Sequence, residues 1–316
     1  KDPGHGIALQ SEQIGIDATI KVFERFSSYP EYSNAKADDV AVIAERQIER
    51  ITHLVTSDSR HQSEFDKFLI GLQKNINPSI SQAQAIEMLS QHIITKPVFE
   101  ALFEGYSFVK NNPVSIAMQG MLELLEDNSF QKDSATLQRF YESVKTRAEG
   151  IDNAEGKQRI IIELYDKFFK TAFPKMFEQL GIVYTPVDIV DFIIHSTNDV
   201  LNKEFGRGIG DKNVHILDPF TGTGTFITRL LQSGLISKND LKRKYLEELH
   251  ANEIVLLAYY IAAVNIENTY HDLSRDIGFQ AFDGICLTDT FQISETEENE
   301  KLFSDMFPKN SERVVE

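Results

Sequence analysis

The stretch VHILDPFTGTGTFITRLL, from Val214 to Leu231, decides the fold. An apolar run reaches Asp218 and Pro219, two glycines follow one residue apart at Gly222 and Gly224, and an apolar helical pattern begins at Thr225. Strand, glycine loop and helix in that order open an α/β unit, and in open α/β sheets ligands sit beyond the carboxyl ends of the strands. A glycine without Cβ takes positive φ and lets the backbone come close to a ligand. A phosphate loop needs Lys and Ser/Thr after its last glycine, but Gly224 is followed by Thr225 and Phe226. The dinucleotide fingerprint needs a third glycine where Ile227 stands. Neither phosphate reading fits.

Downstream of the loop, the pattern repeats. LEELHANE reads as a second strand, IVLLAYYIAAVNIEN as a helix and GICLTD as a third strand. Strands alternating with helices predict a parallel sheet with crossover connections. Each strand ends on an acid: Asp218, Glu253 and Asp289. S-adenosylmethionine suits such a set. Asp218 favours a ligand carrying an ammonium and a sulfonium, Glu253 can accept from two ribose hydroxyls, and Asp289 can accept from the adenine amine. Each acid also reads, taken singly, as a helix cap or turn residue.

Upstream, GIVYTPVDIVDFIIHSTNDVL begins a helix, with Thr185 expected as its N-cap and Pro186 as its first residue. Before residue 180 the chain reads as helix. Ala44, Ile48, Ile51 and Val55 form one apolar stripe, with Asp38 or Asp39 as its expected cap, and Phe65, Phe68, Leu69 and Leu72 form another. Ser81 and Gln84 make a capping box. LQRFYESVKTRAEG and KQRIIIELYDKFFKTAF add two more helical segments, joined by a solvated loop rather than a calcium loop. The expected fold class is α plus α/β: an N-terminal helical bundle over residues 1–165, then a partial Rossmann-like sheet suited to S-adenosylmethionine over residues 166–316.

Composition narrows the function. The net charge of −16 excludes a surface that serves as a whole as a nucleic-acid platform. The single cysteine, Cys286, excludes an internal disulfide or a cysteine-based metal cluster and points to a reducing, cytoplasmic setting. It reads as a small buried hydrophobe. No apolar run of about 18 residues predicts a membrane span. KDPGHGIALQ has no signal-peptide pattern, so the chain reads as a piece of a longer polypeptide. No metal is expected, and His195, His215 and His271 read as structural or surface residues.

With these residues in place, a family resemblance emerges. DPFTGTGTF resembles motif I of the amino-type DNA methyltransferases, GIVYTP their motif X, and ANEIVLLAYYIAAVNIE and FDGICLTDTF their motifs II and III. Motif X before motif I is the gamma-class order. FDKFLIGLQKNINPSISQAQAIEMLSQHIITKPVFEALF, NNPVSIAMQGMLELL and ELYDKFFKTAFPKMFEQLGIVYTP extend the likeness to the single-chain Type ISP restriction-modification enzymes, over most of residues 65–292.

The resemblance implies a helical coupler followed by the front half of an adenine-N6 DNA methyltransferase. Its cofactor is S-adenosylmethionine; ATP and Mg would serve only parts outside this chain. Partners would be double-stranded DNA, held mostly by parts outside this chain, an upstream helicase and nuclease, and a downstream target-recognition domain, with no membrane. It assigns Tyr184, Thr185 and Pro186 to the methionine moiety, and Asp218, Pro219, Phe220, Gly222, Gly224 and Thr225 to the cofactor loop. Glu253 would hold the ribose, Ile254 would pack on the adenine, and Asp289 would hold its amine. The family's catalytic Asn/Asp-Pro-Pro-Tyr/Phe tetrapeptide, which orients a flipped base, does not occur in the sequence. No catalytic residue is therefore expected in this chain, which alone should not methylate, and its first strand should have one unpaired edge. Two alternatives stay open: a non-catalytic coupling module, or a methyltransferase acting on RNA or protein.

Overall fold

The computed structural model describes residues 30–102, 111–125, 142, 173, 185–274 and 278–292. Three parallel strands, β1 (Ile216–Asp218), β2 (Leu249–Glu253) and β3 (Ile285–Leu287), lie in the order β1-β2-β3. Asp218 pairs with Ala251 and Glu253 with Leu287, so the carboxyl ends of all three strands fall on one side of the sheet. The strands are shorter than the predicted stretches. The LEE of LEELHANE does not pair, because Lys244–Glu248 forms a π turn. It holds Glu248 against Arg243 and Lys244, with Lys244 Nζ 2.9 Å from the carboxylate. Lys244 and Glu248 are both buried, and Lys244 also donates to the Val214 carbonyl at 2.6 Å. Burial raises the Glu248 pKa, but bonds from Lys244, the Asn213 N–H and Arg243 outweigh it and hold the carboxyl near 2.

Helices precede the sheet: α1 (Pro30–Ser57), α2 (Ser59–Asn75), α3 (Gln82–Leu102), α4 (Pro113–Leu124) and α5 (Val187–Phe205). The predicted stripes face inward: Ala44, Ile51, Val55, Phe65, Phe68 and Leu72 are buried, and Ile48 and Leu69 pack against them. Asp38 and Asp39 do not cap α1, which starts eight residues earlier at Pro30, a residue tolerated in a first helical turn. The capping box forms as predicted: Gln84 Oε1 accepts from the Ser81 N–H at 2.9 Å, and Ser81 Oγ from the Gln84 N–H at 3.3 Å. Asp58, which the sequence reading passed over, caps α2 by accepting from the Arg60 and His61 N–H groups. The two helical segments expected before residue 173, and the loop joining them, lie outside the described residues.

Crossover helices α6 (Thr225–Gln232) and α8 (Leu256–Ser274) connect the strands, with a short turn α7 (Leu241–Arg243) leading into the π turn. Every residue of α8 from Leu256 to Tyr270 is buried. A helix buried on all sides needs partners on all sides, and α8 has them: α6, β2 and β3 on one hand, α3 on the other. The Tyr260 hydroxyl pairs with His92 Nδ1 of α3 at 2.9 Å. Asn112 Nδ2, at the start of α4, donates to the Tyr259 hydroxyl at 3.0 Å. One connected core thereby runs from Ile43 through Leu287.

On the outer side, α5 buries Val190 and Ile194, and its Asp191 takes a two-pronged bond from Arg229 of α6 at 2.8 and 2.6 Å. Phe192 and Val200 of the same helix are exposed, as is Leu217 of β1. Among the described residues β1 pairs with β2. No helix among the described residues is long and apolar enough to cross a membrane.

Candidate functional site

The site is built where β1 ends. Asp218 closes the strand, and the chain turns at once, with the Phe220 N–H donating to Asp218 Oδ1 at 3.3 Å and the Thr221 hydroxyl donating to the Asp218 carbonyl at 2.9 Å. Gly222 and Gly224 both adopt positive φ, +57° and +84°. They are needed for different reasons. Around Gly222 a Cβ would meet nothing within 4 Å, whereas at Gly224 it would lie 3.1 Å from Ala262 Cα of α8. The first glycine serves the turn alone. The second also lets α8 press against the loop, where Asn265 Nδ2 donates to the Thr223 carbonyl at 2.9 Å.

Glu253, at the tip of β2, ties this loop to the next strand. Its Oε2 accepts from the Gly222 N–H at 2.7 Å and its Oε1 from the Val255 N–H at 2.8 Å. The Thr221 N–H adds a bond to the Asn252 carbonyl at 3.0 Å. Burial pushes the Glu253 carboxyl up to about 7, against the pull of the three N–H groups around it and with help from Asp218. Burial also raises the Asp218 pKa. Asp218 Oδ2 is buried and finds no hydrogen-bond partner among the described residues. A buried, unpartnered carboxylate oxygen carries an unmet desolvation cost, which a cationic or N–H-bearing ligand would offset.

The third acid follows β3. The Thr288 N–H donates to the Glu253 carbonyl at 2.9 Å, the Thr290 hydroxyl to the Pro219 carbonyl at 2.6 Å, and Asn252 Nδ2 to the Thr290 hydroxyl at 3.3 Å. The loops after all three strands are therefore stitched together. Asp289 Oδ1 accepts from the Phe291 N–H at 3.0 Å, and Oδ2 accepts from Asn77 beyond α2 at 2.6 Å. The rings of Phe220 and Phe291 lie 5.6 Å apart, 65% and 74% exposed, so two strand-end loops present adjacent aromatic faces. Ile254, beside Glu253, is also exposed.

The sequence-predicted residues thus fall into three groups. Asp218, Pro219, Phe220, Gly222, Gly224, Glu253, Ile254 and Asp289 meet at the carboxyl end of one sheet, with Thr225 beginning α6 there. Thr185 and Pro186 are exposed ahead of α5. Their capping roles need correction: Pro186, not Thr185, is the N-cap, with extended backbone and no side-chain bond, because its carbonyl already accepts from the Ile189 and Val190 N–H groups. Tyr184 lies outside the described residues. The sequence reading missed Asn77, Asn252, Thr290 and Phe291. The turn signal NPS at 77–79 was visible, but nothing in it pointed to residue 289.

The histidines and the cysteine also have places. His215 is exposed and stacks on His250, and the ring of His271 meets the Gln280 backbone. His195 is exposed, and Cys286 is buried in β3. Among the described residues no group of three His, Cys, Asp or Glu side chains is placed to hold a metal ion.

A helical layer wedged onto a parallel sheet whose strand ends gather acids around a glycine turn defines the class: an α plus α/β protein with a small three-stranded parallel sheet. Comparison with known proteins narrows it. Residues 32–156 match the coupler domain of the Type ISP restriction-modification enzymes. The chain superposes on a nuclease-deletion mutant of the Type ISP enzyme LlaGI, solved with a DNA substrate mimic: TM-score 0.80 and 53% identity, over 90% of this chain and 23% of that one. It superposes likewise on the ATP-dependent Type ISP enzyme LlaBIII bound to DNA, with TM-score 0.81 and 54% identity over 90% of this chain and 20% of that one. A DrdV–DNA complex matches with TM-score 0.75 and 33% identity, over 89% of this chain and 27% of that one. No curated protein matches the sequence. The chain belongs to the Type ISP restriction-modification enzymes, and it spans about a fifth to a quarter of the length of these solved relatives.

Proposed function

We propose that the sheet half of this chain binds S-adenosylmethionine as the front part of an adenine-N6 DNA methyltransferase, and that the helical half couples it to an upstream helicase and nuclease. The observation carrying the reading is the unpartnered, buried Asp218 Oδ2, with Glu253 at the end of the adjacent strand accepting from the Gly222 N–H of the loop that follows Asp218. The donor set fits the group. Asp218 offers a free acceptor to a cation, which would draw its raised pKa back down. Glu253 already accepts from the Gly222, Val255 and Ile254 N–H groups, and the acceptor capacity left on its carboxylate is open to a ribose hydroxyl. Ile254 and the exposed Phe220 supply apolar surface for a base. Asp289 supplies an acceptor for its amine.

S-adenosylmethionine brings a methyl group activated by the sulfonium. What this chain contributes is binding and orientation, the part of catalysis that holds reactants in line. The relatives LlaGI, LlaBIII and DrdV were solved with DNA or a DNA mimic. With a net charge of −16 on this chain, double-stranded DNA is assigned mainly to the remainder of the polypeptide, including a target-recognition domain. The cytoplasm is the compartment that this function requires.

Titration calorimetry at pH 7.5 tests the reading. S-adenosylmethionine and S-adenosylhomocysteine are expected to bind in the micromolar range, and Asp218→Ala or Glu253→Ala to weaken either by ~10-fold or more, about 1.4 kcal/mol. A folded sample that takes up neither compound overturns it. A second reading, a coupling module without cofactor, is favoured by the wedging of α8 between the helical layer and the sheet. It is the reading left standing by that negative result.

A further inference from the structure

Asp289 is held from outside the sheet before any ligand arrives. Asn77, two residues past the end of α2, donates from Nδ2 to Asp289 Oδ2 at 2.6 Å, across 212 residues of sequence. The amide that makes this bond is itself fixed: Asn77 Oδ1 accepts from the Ser79 N–H at 2.8 Å and the Ser79 hydroxyl at 2.6 Å. The backbone joins the same segments, with the Asp289 N–H donating to the Ile76 carbonyl at 3.1 Å and the Thr288 hydroxyl to the Asn75 carbonyl at 3.3 Å. With Phe291 N–H on Oδ1 and Asn77 on Oδ2, the carboxylate is gripped at both oxygens and cannot turn about its Cβ–Cγ bond without losing both donors. One acceptor position remains on each oxygen.

We propose that Asn77, a residue of the helical half, is a positioning residue of the cofactor site: it sets the plane of the Asp289 carboxylate for recognition of a purine exocyclic amine. The inference rests on the S-adenosylmethionine reading above. A tether that served only to hold two loops together would leave base preference untouched. A positioning residue must alter it, because selectivity for an amine depends on where the acceptor stands.

The test compares S-adenosylhomocysteine with S-inosylhomocysteine, in which an oxygen replaces the 6-amine, by calorimetry on the same chain. The unmodified chain is expected to prefer the adenosine compound by ~10-fold or more. Asn77→Ala is expected to reduce that preference at least ~5-fold, chiefly by weakening the adenosine compound. Ser79→Ala, a gentler change that removes the hydroxyl but keeps the backbone N–H on Asn77 Oδ1, is expected to move it in the same direction by less. In an Asp289→Ala background, Asn77→Ala should change the preference no further. An unaltered preference in Asn77→Ala and Ser79→Ala, with the unmodified chain binding normally, overturns this inference and leaves the cofactor reading intact. Failure of the unmodified chain to bind either compound overturns both. Should Asn77→Ala fail to fold, the Ser79→Ala ratio decides.

Discussion

Glu267 and Glu253 show at the scale of single residues how far burial alone shifts a carboxyl. Glu267 sits on the buried stretch of α8 and accepts from the Phe282 N–H at 3.0 Å. Burial pushes its carboxyl up to about 8, with Asp283 adding to the rise and the N–H opposing it. Glu253 is raised to about 7 in the same way. Both groups hold a proton more tightly folded than unfolded. Their contribution to stability is complete below the unfolded value of about 4.5 and is lost as pH rises through about 7 to 8. Glu267→Gln keeps the acceptor and removes the titration. It is expected to unfold at the same temperature as the parent near pH 5 and at a higher one near pH 8.5, read by thermal denaturation across that range. Parallel pH profiles would refute the assignment. The sequence presented Glu267 as one polar position in an apolar helix; only the packing around α8 makes it a buried acid.

Elements and their turns carry a second expectation. The two glycines of the β1–α6 turn look equivalent in the sequence, but the structure separates them. Gly222→Ala introduces a side chain at φ +57° into open space and should cost about 1–2 kcal/mol of backbone strain. Gly224→Ala adds to that strain a Cβ 3.1 Å from the α8 backbone, and overpacking of this kind costs about 1–3 kcal/mol more. Urea denaturation should therefore rank Gly224→Ala as the more damaging; equal losses would mean that α8 yields freely. Element type was legible in the sequence wherever the apolar period was long, as in the stripes of α1 and α2 and the run of α8. Element ends were less so. Pairing shortened the strands to three or five residues, and a buried lysine and glutamate drew part of the expected second strand into a π turn.

The whole molecule behaves as one packed body over its described residues. Asn112–Tyr259 and His92–Tyr260 fasten the helical layer to α8, and the Asn77–Asp289 contact fastens it to the sheet edge. Heat unfolding followed by helix signal and by tyrosine near-ultraviolet signal should give one coincident transition. Tyr259→Phe leaves the Asn112 amide without that acceptor, at a cost of about 1–3 kcal/mol. It should lower the common midpoint rather than split the transition in two. Separate midpoints in the parent would show that helical layer and sheet fold independently. The division at residues 165 and 166 is a division of sequence character, and the described core connects residues on both sides of it.

The sequence by itself determined the alternation of strand and helix, the inward faces of the long helices, the glycine turn and the acid at each strand tip. These follow from local period, from the steric freedom of glycine and from the short range of turn chemistry. Tertiary structure decided that the three tips share one edge, that Asp218 keeps a buried oxygen without a partner among the described residues, and that Asn77 reaches Asp289 across 212 residues of sequence. Contacts between residues 212 apart are set by how layers pack, and no local pattern of residues encodes them.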